Sequence, residues 1–89
     1  MDSLVGRLII SKSGHDKGRL YLVTVCEDRF AYLCNGENHP IDKPKKKNLR
    51  HIQPTNICVD HALRDKMLSG VLPKDEDIKD TIKRYQQEI

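Results

Sequence analysis

The apolar segments in the first 55 residues are short, and each ends at a polar turn. This pattern limits the fold more than any other feature, because residues 4–10, 20–26 and 30–34 are rich in β-forming residues. Asn35-Gly36 is typical of a turn that needs positive φ. Residues 49–53 form a further short segment. We expect four or five short strands, and residues 20–26, which are almost continuously apolar, should be buried on both faces of the sheet.

The composition allows one small aliphatic core. The chain has 89 residues, no Trp and a single Phe, so Leu, Ile and Val must fill the interior. A chain of this length buries a limited fraction of its surface. The fold class that we expect is therefore mainly β, in one small domain.

Helical spacing begins only after residue 55. Residues 62–67 follow such a spacing, and Gly70 is placed to end the helix. Acidic residues 75–77 favour the start of a second helix, with an apolar stripe of Ile78, Ile82, Tyr85 and Ile89. We expect the stripe to pack against the β domain or the first helix; the alternative is a partner-binding helix. The predicted division is residues 1–55 for the β domain and residues 56–89 for two short C-terminal helices.

Positive charge is concentrated in the first part of the chain. Residues 1–54 contain ten Lys and Arg against six Asp and Glu, whereas residues 55–89 contain six against seven. A basic region of this kind favours a polyanionic partner.

The cysteines and the apolar runs indicate the compartment. Three cysteines (Cys26, Cys34 and Cys58) form no CxxC pair, which argues against a disulfide framework. The N-terminal sequence shows no basic region followed by an apolar run, and no apolar run is long enough to span a bilayer. We therefore expect a soluble, cytoplasmic protein without a membrane partner.

Two polar segments carry most of the basic residues. Residues 11–19 read as a loop in which Gly14 and Gly18 permit sharp turns near a phosphate. Residues 37–48 read as a second, basic loop, with one short strand near Ile41. The candidate phosphate ligands are Lys12, His15, Lys17, Arg19, Lys43, Lys45, Lys46, Lys47, Arg50 and His51.

Residues 5–19, followed by the apolar segment 20–26, resemble a KOW motif: a strand, a basic loop with glycines that include Gly18, and a second strand. Cys34-Asn35-Gly36 and Asn48-Leu49-Arg50-His51-Ile52-Gln53-Pro54-Thr55 extend the resemblance. Over residues 5–54 the chain is similar to the KOW-domain proteins of the large ribosomal subunit in archaea and eukaryotes and to their small bacterial relatives. The resemblance implies a small SH3-like (KOW) β-barrel that binds RNA, usually ribosomal RNA.

The expected function is RNA binding through the two basic loops, in translation, with ribosomal RNA, the ribosome or ribosomal proteins as partners. The alternative is a protein-interaction adaptor in translation or transcription, because SH3-like barrels host many unrelated functions. The sequence predicts no oligomeric state.

Catalysis and metal binding have little support in the sequence. Cys58 and His61 have a C-x₂-H spacing, but zinc sites usually have paired ligands at both ends. The chain has no GxSxG, HExxH or GxxxxGK[ST] motif. We expect no enzyme activity, no cofactor and no metal, and we interpret the cysteines as small core hydrophobes.

Overall fold

The structure is a computed structural model that describes residues 4–88. The order of its elements is five strands and then two helices. They are β1 (Arg7–Ser11), β2 (Leu20–Glu27), β3 (Phe30–Cys34), β4 (Lys45–Asn48), β5 (Ile52–Cys58), α1 (His61–Leu68) and α2 (Asp75–Tyr85), with short 3₁₀ helices at Leu49–His51 and Gln86–Glu88.

The five strands form one antiparallel sheet in the order β4-β3-β2-β1-β5. The 3₁₀ helix Leu49–His51 alone connects the two outer strands, β4 and β5. Irregular pairing between Val23 and Val25 of β2, and between Arg7 and Ile9 of β1, bends the sheet. This strand order and connection are those of a small SH3-like barrel, so the predicted mainly β fold with two C-terminal helices is confirmed.

The sheet is buried on both faces because each face carries its own apolar cluster. The prediction that residues 20–26 are buried is confirmed for residues 20–24 of β2, whose alternate residues point to opposite faces. It is wrong for Val25, which is 38% exposed, and Cys26 is half-buried. The inner core contains Ile9, Tyr21, Val23, Ala31, Leu33 and Ile52. The outer core contains Val5, Leu8, Leu20, Leu22, Cys34, Met67 and Ile78.

The two helices close the outer core. Met67 of α1 and Ile78 of α2 are buried in it, and Ile82 and Tyr85 pack against it. The interpretation of the α2 stripe as a packing face is therefore confirmed for these residues, while Ile89 lies outside the described residues. None of the helices within residues 4–88 is long and apolar enough to cross a membrane.

Gly70 ends α1 as the sequence predicts. It has a φ of +99°, its N–H donates to the Met67 carbonyl, and the Val71 N–H donates to the Lys66 carbonyl. This pair of bonds is a Schellman motif, which satisfies carbonyls that the helix end leaves open.

The prediction of a basic loop over residues 37–48 is wrong for the last four of them, which form β4. Lys45, Lys46 and Lys47 pair with Leu33, Tyr32 and Ala31 of β3. The predicted strand near Ile41 is absent, since Ile41 lies in a turn. Lysine has a low β-propensity, so local sequence favoured a loop, and the pairing with β3 overrides it.

Strand β5 continues through Pro54 to Cys58. Proline is tolerated there because β5 is an edge strand, where one side needs no backbone donor.

Candidate nucleic-acid interface

Residues 12–19 form the loop between β1 and β2, and two glycines allow the loop to turn sharply. Gly14 and Gly18 have φ values of +87° and +89°, a backbone region that residues with a side chain rarely adopt. The Gly18 N–H donates to the Ser11 carbonyl at 2.8 Å, and the Ser11 N–H donates to the Arg19 carbonyl at 3.0 Å. The expected sharp turn is confirmed, and we call residues 12–19 the basic loop.

Asp16 holds the basic loop onto the barrel. Its residue surface is 7% exposed. Ser11 Oγ donates to Asp16 Oδ1 at 2.9 Å, and Tyr21 Oη donates to Oδ2 at 2.8 Å. Two ammonium groups complete the set: Lys45 Nζ donates to Oδ2 at 2.5 Å, and Lys47 Nζ donates to Oδ1 at 3.0 Å. Both oxygens of this buried carboxylate therefore accept hydrogen bonds, as a buried charge requires.

This network sets the protonation states of both buried groups. Burial raises the pKa of Asp16, but the hydrogen bonds from Lys45, Lys47, Tyr21 and Ser11 outweigh burial and hold that pKa well below its usual range. Burial, and then the hydrogen bond to Asp16, raises the pKa of Tyr21 to about 12. At neutral pH the carboxylate is charged, the phenol is neutral, and the two lysines compensate the buried charge.

The three consecutive lysines of β4 do not form one basic cluster. Lys45 and Lys47 reach Asp16 on one face of the strand, and Lys47 Nζ also donates to Ser11 Oγ and to the Ser13 carbonyl. Lys46 points to the other face, where its Nζ lies 4.3 Å from the centre of the Phe30 ring. Since strand residues alternate between faces, adjacent lysines cannot act together there. RNA binding by Lys45, Lys46 and Lys47 stays a prediction; Lys46 is exposed, whereas Lys45 and Lys47 are bound to Asp16, which competes with any phosphate for them.

The remaining predicted ligands on the basic loop are exposed. Lys12, His15, Lys17 and Arg19 make no side-chain hydrogen bond or ion pair with any described residue. Asp16 is the sole acidic residue of the basic loop, and it is buried between two lysines. The ionisable side chains that the loop exposes are therefore all Lys, Arg or His.

Arg50 and His51 lie beside the start of the basic loop. Both are exposed on the 3₁₀ helix Leu49–His51, and the Lys12 N–H donates to the His51 carbonyl at 2.8 Å. The structure thus brings six predicted ligands into one region. We call this set the basic surface: Lys12, His15, Lys17, Arg19, Arg50 and His51. Lys43 is exposed in the β3–β4 connection, and no described contact joins it to the basic surface.

A groove at the far end of the basic loop adds two cations that the sequence did not predict as ligands. Arg19 shares this groove, of about 480 Å³, with Lys79 and Lys83 of α2. The sequence signal was the helical spacing of residues 79, 82, 83 and 86, which places them on one face. The helical spacing does not predict that this face lies next to Arg19, because their proximity depends on how α2 packs on the barrel.

The described residues hold no group of three or more His, Cys, Asp or Glu side chains that could bind a metal ion. Cys58 is half-buried at the end of β5, and His61 is exposed as the first residue of α1. Cys34 is fully buried in the outer core, and burial raises the pKa of its thiol, which fits the interpretation of a small core hydrophobe.

The chain matches no protein-family model and no curated protein. The resemblance of residues 5–54 to KOW-domain proteins therefore stays a prediction.

Proposed function

We propose that this protein binds RNA through the basic surface. The observation that carries the proposal is the contrast inside one loop: the carboxylate of Asp16 is buried and neutralised, while the cations on either side of it are exposed and unpaired within residues 4–88. A rigid loop that shows only positive charge favours phosphate groups.

Structured RNA suits this surface better than unstructured RNA. A-form helices are recognised through shape, phosphates and 2′-hydroxyl groups, which Lys, Arg and His side chains on a loop can contact. Single-strand platforms rely on exposed aromatic rings. Tyr21 is buried, and Phe30 is half-buried beneath Lys46, so neither offers such a platform. We propose ribosomal RNA as the partner, in the cytoplasm and in translation, on the strength of the KOW resemblance.

The test is the salt dependence of binding to a structured RNA. The variant Lys12→Gln/Lys17→Gln/Arg19→Gln removes three cations of the basic surface. We expect its affinity to fall by a factor on the order of ten to a hundred at low salt, because three phosphate contacts are lost. The slope of log affinity against log salt concentration should decrease by about one for each lost contact.

A matched control removes three exposed cations that do not belong to the basic surface: Lys66→Gln/Lys74→Gln/Arg84→Gln. It makes the same change in net charge, so general electrostatic attraction falls equally in both variants. If the two variants lose the same affinity and the same slope, the basic surface is not the RNA site.

The adaptor hypothesis has one supporting observation. Leu68, Val71 and Leu72, at the end of α1 and after it, are 51%, 56% and 39% exposed. An exposed apolar group of this kind favours a protein contact. Under the adaptor hypothesis, Leu72→Ser would abolish co-purification of a protein partner, and the loop variant would leave that partner bound.

A further inference from the structure

The groove between the barrel and α2 lies at one end of the basic surface and shares Arg19 with it. Its rim is polar and exposed: Arg19 on one side, and Lys79, Lys83 and Gln86 of α2 on the other. Its apolar floor includes Leu20, which is 6% exposed and belongs to the outer core, and Ile82, which packs against the outer core. The groove therefore offers cations above an apolar surface.

Charge at the groove favours an anion. Three cations (Arg19, Lys79 and Lys83) face one carboxylate, that of Glu37, which leaves two positive charges in excess. Glu37 Oε1 lies 3.4 Å from Lys79 Nζ, and both side chains are more than half exposed, at 59% and 57%. A solvated pair of this kind is weak, so a phosphate can displace the carboxylate from Lys79.

The two walls of the groove are held at a fixed separation. Gly36, in the β3–β4 connection, packs so closely against α2 that a Cβ there would lie 2.3 Å from the Asp75 carbonyl oxygen. The Ile41 N–H also donates to Asp75 Oδ1 at 2.7 Å. Asn35 contributes to the wall, but its side-chain oxygen already accepts from the N–H groups of residues 37 and 39. The wall is thus prearranged. The side-chain amide of Gln86 forms no hydrogen bond within residues 4–88, so it is available to a ligand.

The groove's size and chemistry fit a single nucleotide. Its volume of about 480 Å³ falls within the range of roughly 300–1,000 Å³ that is typical of small-molecule sites. An unpaired nucleotide combines a phosphate, a base with hydrogen-bonding edges and an apolar base face. Sequence-specific RNA recognition usually selects such nucleotides.

We propose that this groove binds an unpaired nucleotide next to the RNA helix held by the basic surface, with Lys79, Lys83 and Arg19 on its phosphate and Gln86 at its base edge. The inference rests on the proposed function, and it makes α2 the part of the protein that selects among RNAs. The basic surface supplies affinity for any helix, and the groove supplies preference for a helix with an unpaired neighbour.

The test compares two RNA probes: a blunt RNA duplex, and the same duplex with unpaired nucleotides at one end. The wild-type protein should prefer the extended duplex by about tenfold, in the range of a well-placed polar contact. Lys83→Gln should lower affinity for the extended duplex by about fivefold and change affinity for the blunt duplex by less than about twofold. Arg84→Gln is the matched control, because it removes one exposed cation from the adjacent position of α2, outside the groove.

A second variant separates the proposal from simple damage to α2. Glu37→Gln removes the carboxylate that competes with phosphate for Lys79, so affinity for the extended duplex should rise by about twofold. Damage to the fold cannot produce a gain of affinity for one probe alone.

The outcomes distinguish the two proposals. If both probes bind with the same salt-dependent affinity, and Lys83→Gln and Arg84→Gln have equal effects, the proposal for the groove is wrong. The proposal for the basic surface would still hold. Failure to bind either probe would overturn both. Free nucleoside monophosphates carry the same phosphate and base. If they bind the wild-type protein more tightly than the extended duplex does, and bind Lys83→Gln less well, the groove is a site for a free nucleotide. The assignment of the groove to RNA would then be wrong.

Discussion

Strand β4 and the basic loop carry similar numbers of cations, but the structure uses them differently. In β4, Lys45 and Lys47 pair with Asp16, which lies 29 and 31 residues away in the sequence. Lys46 lies over the Phe30 ring. The cations of the basic loop make no side-chain hydrogen bond or ion pair with any described residue. A run of like charges in a sequence therefore does not show which of the charges are available to a ligand, because the carboxylate that pairs with two of them comes from elsewhere in the fold.

Removing the shared partner should have the largest effect. Asp16→Asn takes away the charge that both Lys45 and Lys47 compensate, and Lys47, whose side chain is 10% exposed, is left as a buried cation. Loss of one member of a buried ion pair costs about 3 kcal/mol or more. We expect the free energy of unfolding, measured by urea denaturation, to fall by about that amount.

The control is Asp80→Asn, which makes the same chemical change at an exposed position of α2. If Asp16→Asn is no more harmful than Asp80→Asn, the ion network does not hold the loop and the contrast between the two regions fails.

The same network predicts how stability depends on pH. Because the folded-state pKa of Asp16 is held below its ordinary value of 3.8, its contribution is complete above that value and is lost as the pH falls through the folded-state pKa. Tyr21 acts in the opposite direction: its pKa rises from 10.0 to about 12, so its contribution is lost as the pH rises over that range.

Urea denaturation across pH should therefore show a loss of stability at each extreme. Tyr21→Phe should flatten the alkaline limb and keep the acid one. An acid limb that is unchanged in Asp16→Asn would show that other carboxylates cause it.

Two adjacent lysines give the sharpest comparison inside β4. Lys47→Gln removes a donor that contacts Ser11 Oγ, the Ser13 carbonyl and Asp16, so we expect a loss of about 2 kcal/mol, typical of hydrogen bonds to charged groups. Lys46→Gln removes only a solvated contact with Phe30, and its cost should stay below about 1 kcal/mol. Equal losses would mean that the two faces of β4 are not distinct.

The smallest effect on stability should come from the basic loop. Lys12→Gln/Lys17→Gln/Arg19→Gln removes no side-chain hydrogen bond or ion pair with a described residue, so the free energy of unfolding should change by no more than about 0.5 kcal/mol. A larger loss would mean that these cations help to hold the fold, and its RNA-binding defect would then need another explanation.

Local sequence predicted the parts of the fold that depend on local chemistry. The apolar segment at residues 20–26, the turn glycines and the α2 stripe each carry their own signal. The structure has the turn glycines, buries residues 20–24 of the segment, and packs Ile78, Ile82 and Tyr85 of the stripe on the outer core. Strand β4 carries no such signal, since its lysines form a strand only because β3 offers an open edge and Asp16 offers a counter-charge. Asp16 itself looks like an ordinary loop residue in the sequence, and its burial follows from how the loop folds back on the barrel.

The candidate interface shows the same limit. Residues 12–19 could be selected from charge and glycine content alone, but the position of Arg50 and His51 beside them depends on the pairing of β1 with β5. Lys79 and Lys83 join the region only through the docking of α2. Long-range contacts therefore decide which cations share a surface.

The proposed function places the RNA on the basic surface in preference to Lys45 and Lys47, which are bound to Asp16. Ultraviolet crosslinking in cells tests it most directly, if the crosslinked peptides are mapped by mass spectrometry and the attached RNA is sequenced. We expect nucleotide adducts on residues 12–19 and 49–51, none on Lys45 or Lys47, and a sharp cluster of crosslinks in structured RNA. Adducts on β4 with none on the basic loop, or RNA crosslinks only at background level, would contradict it.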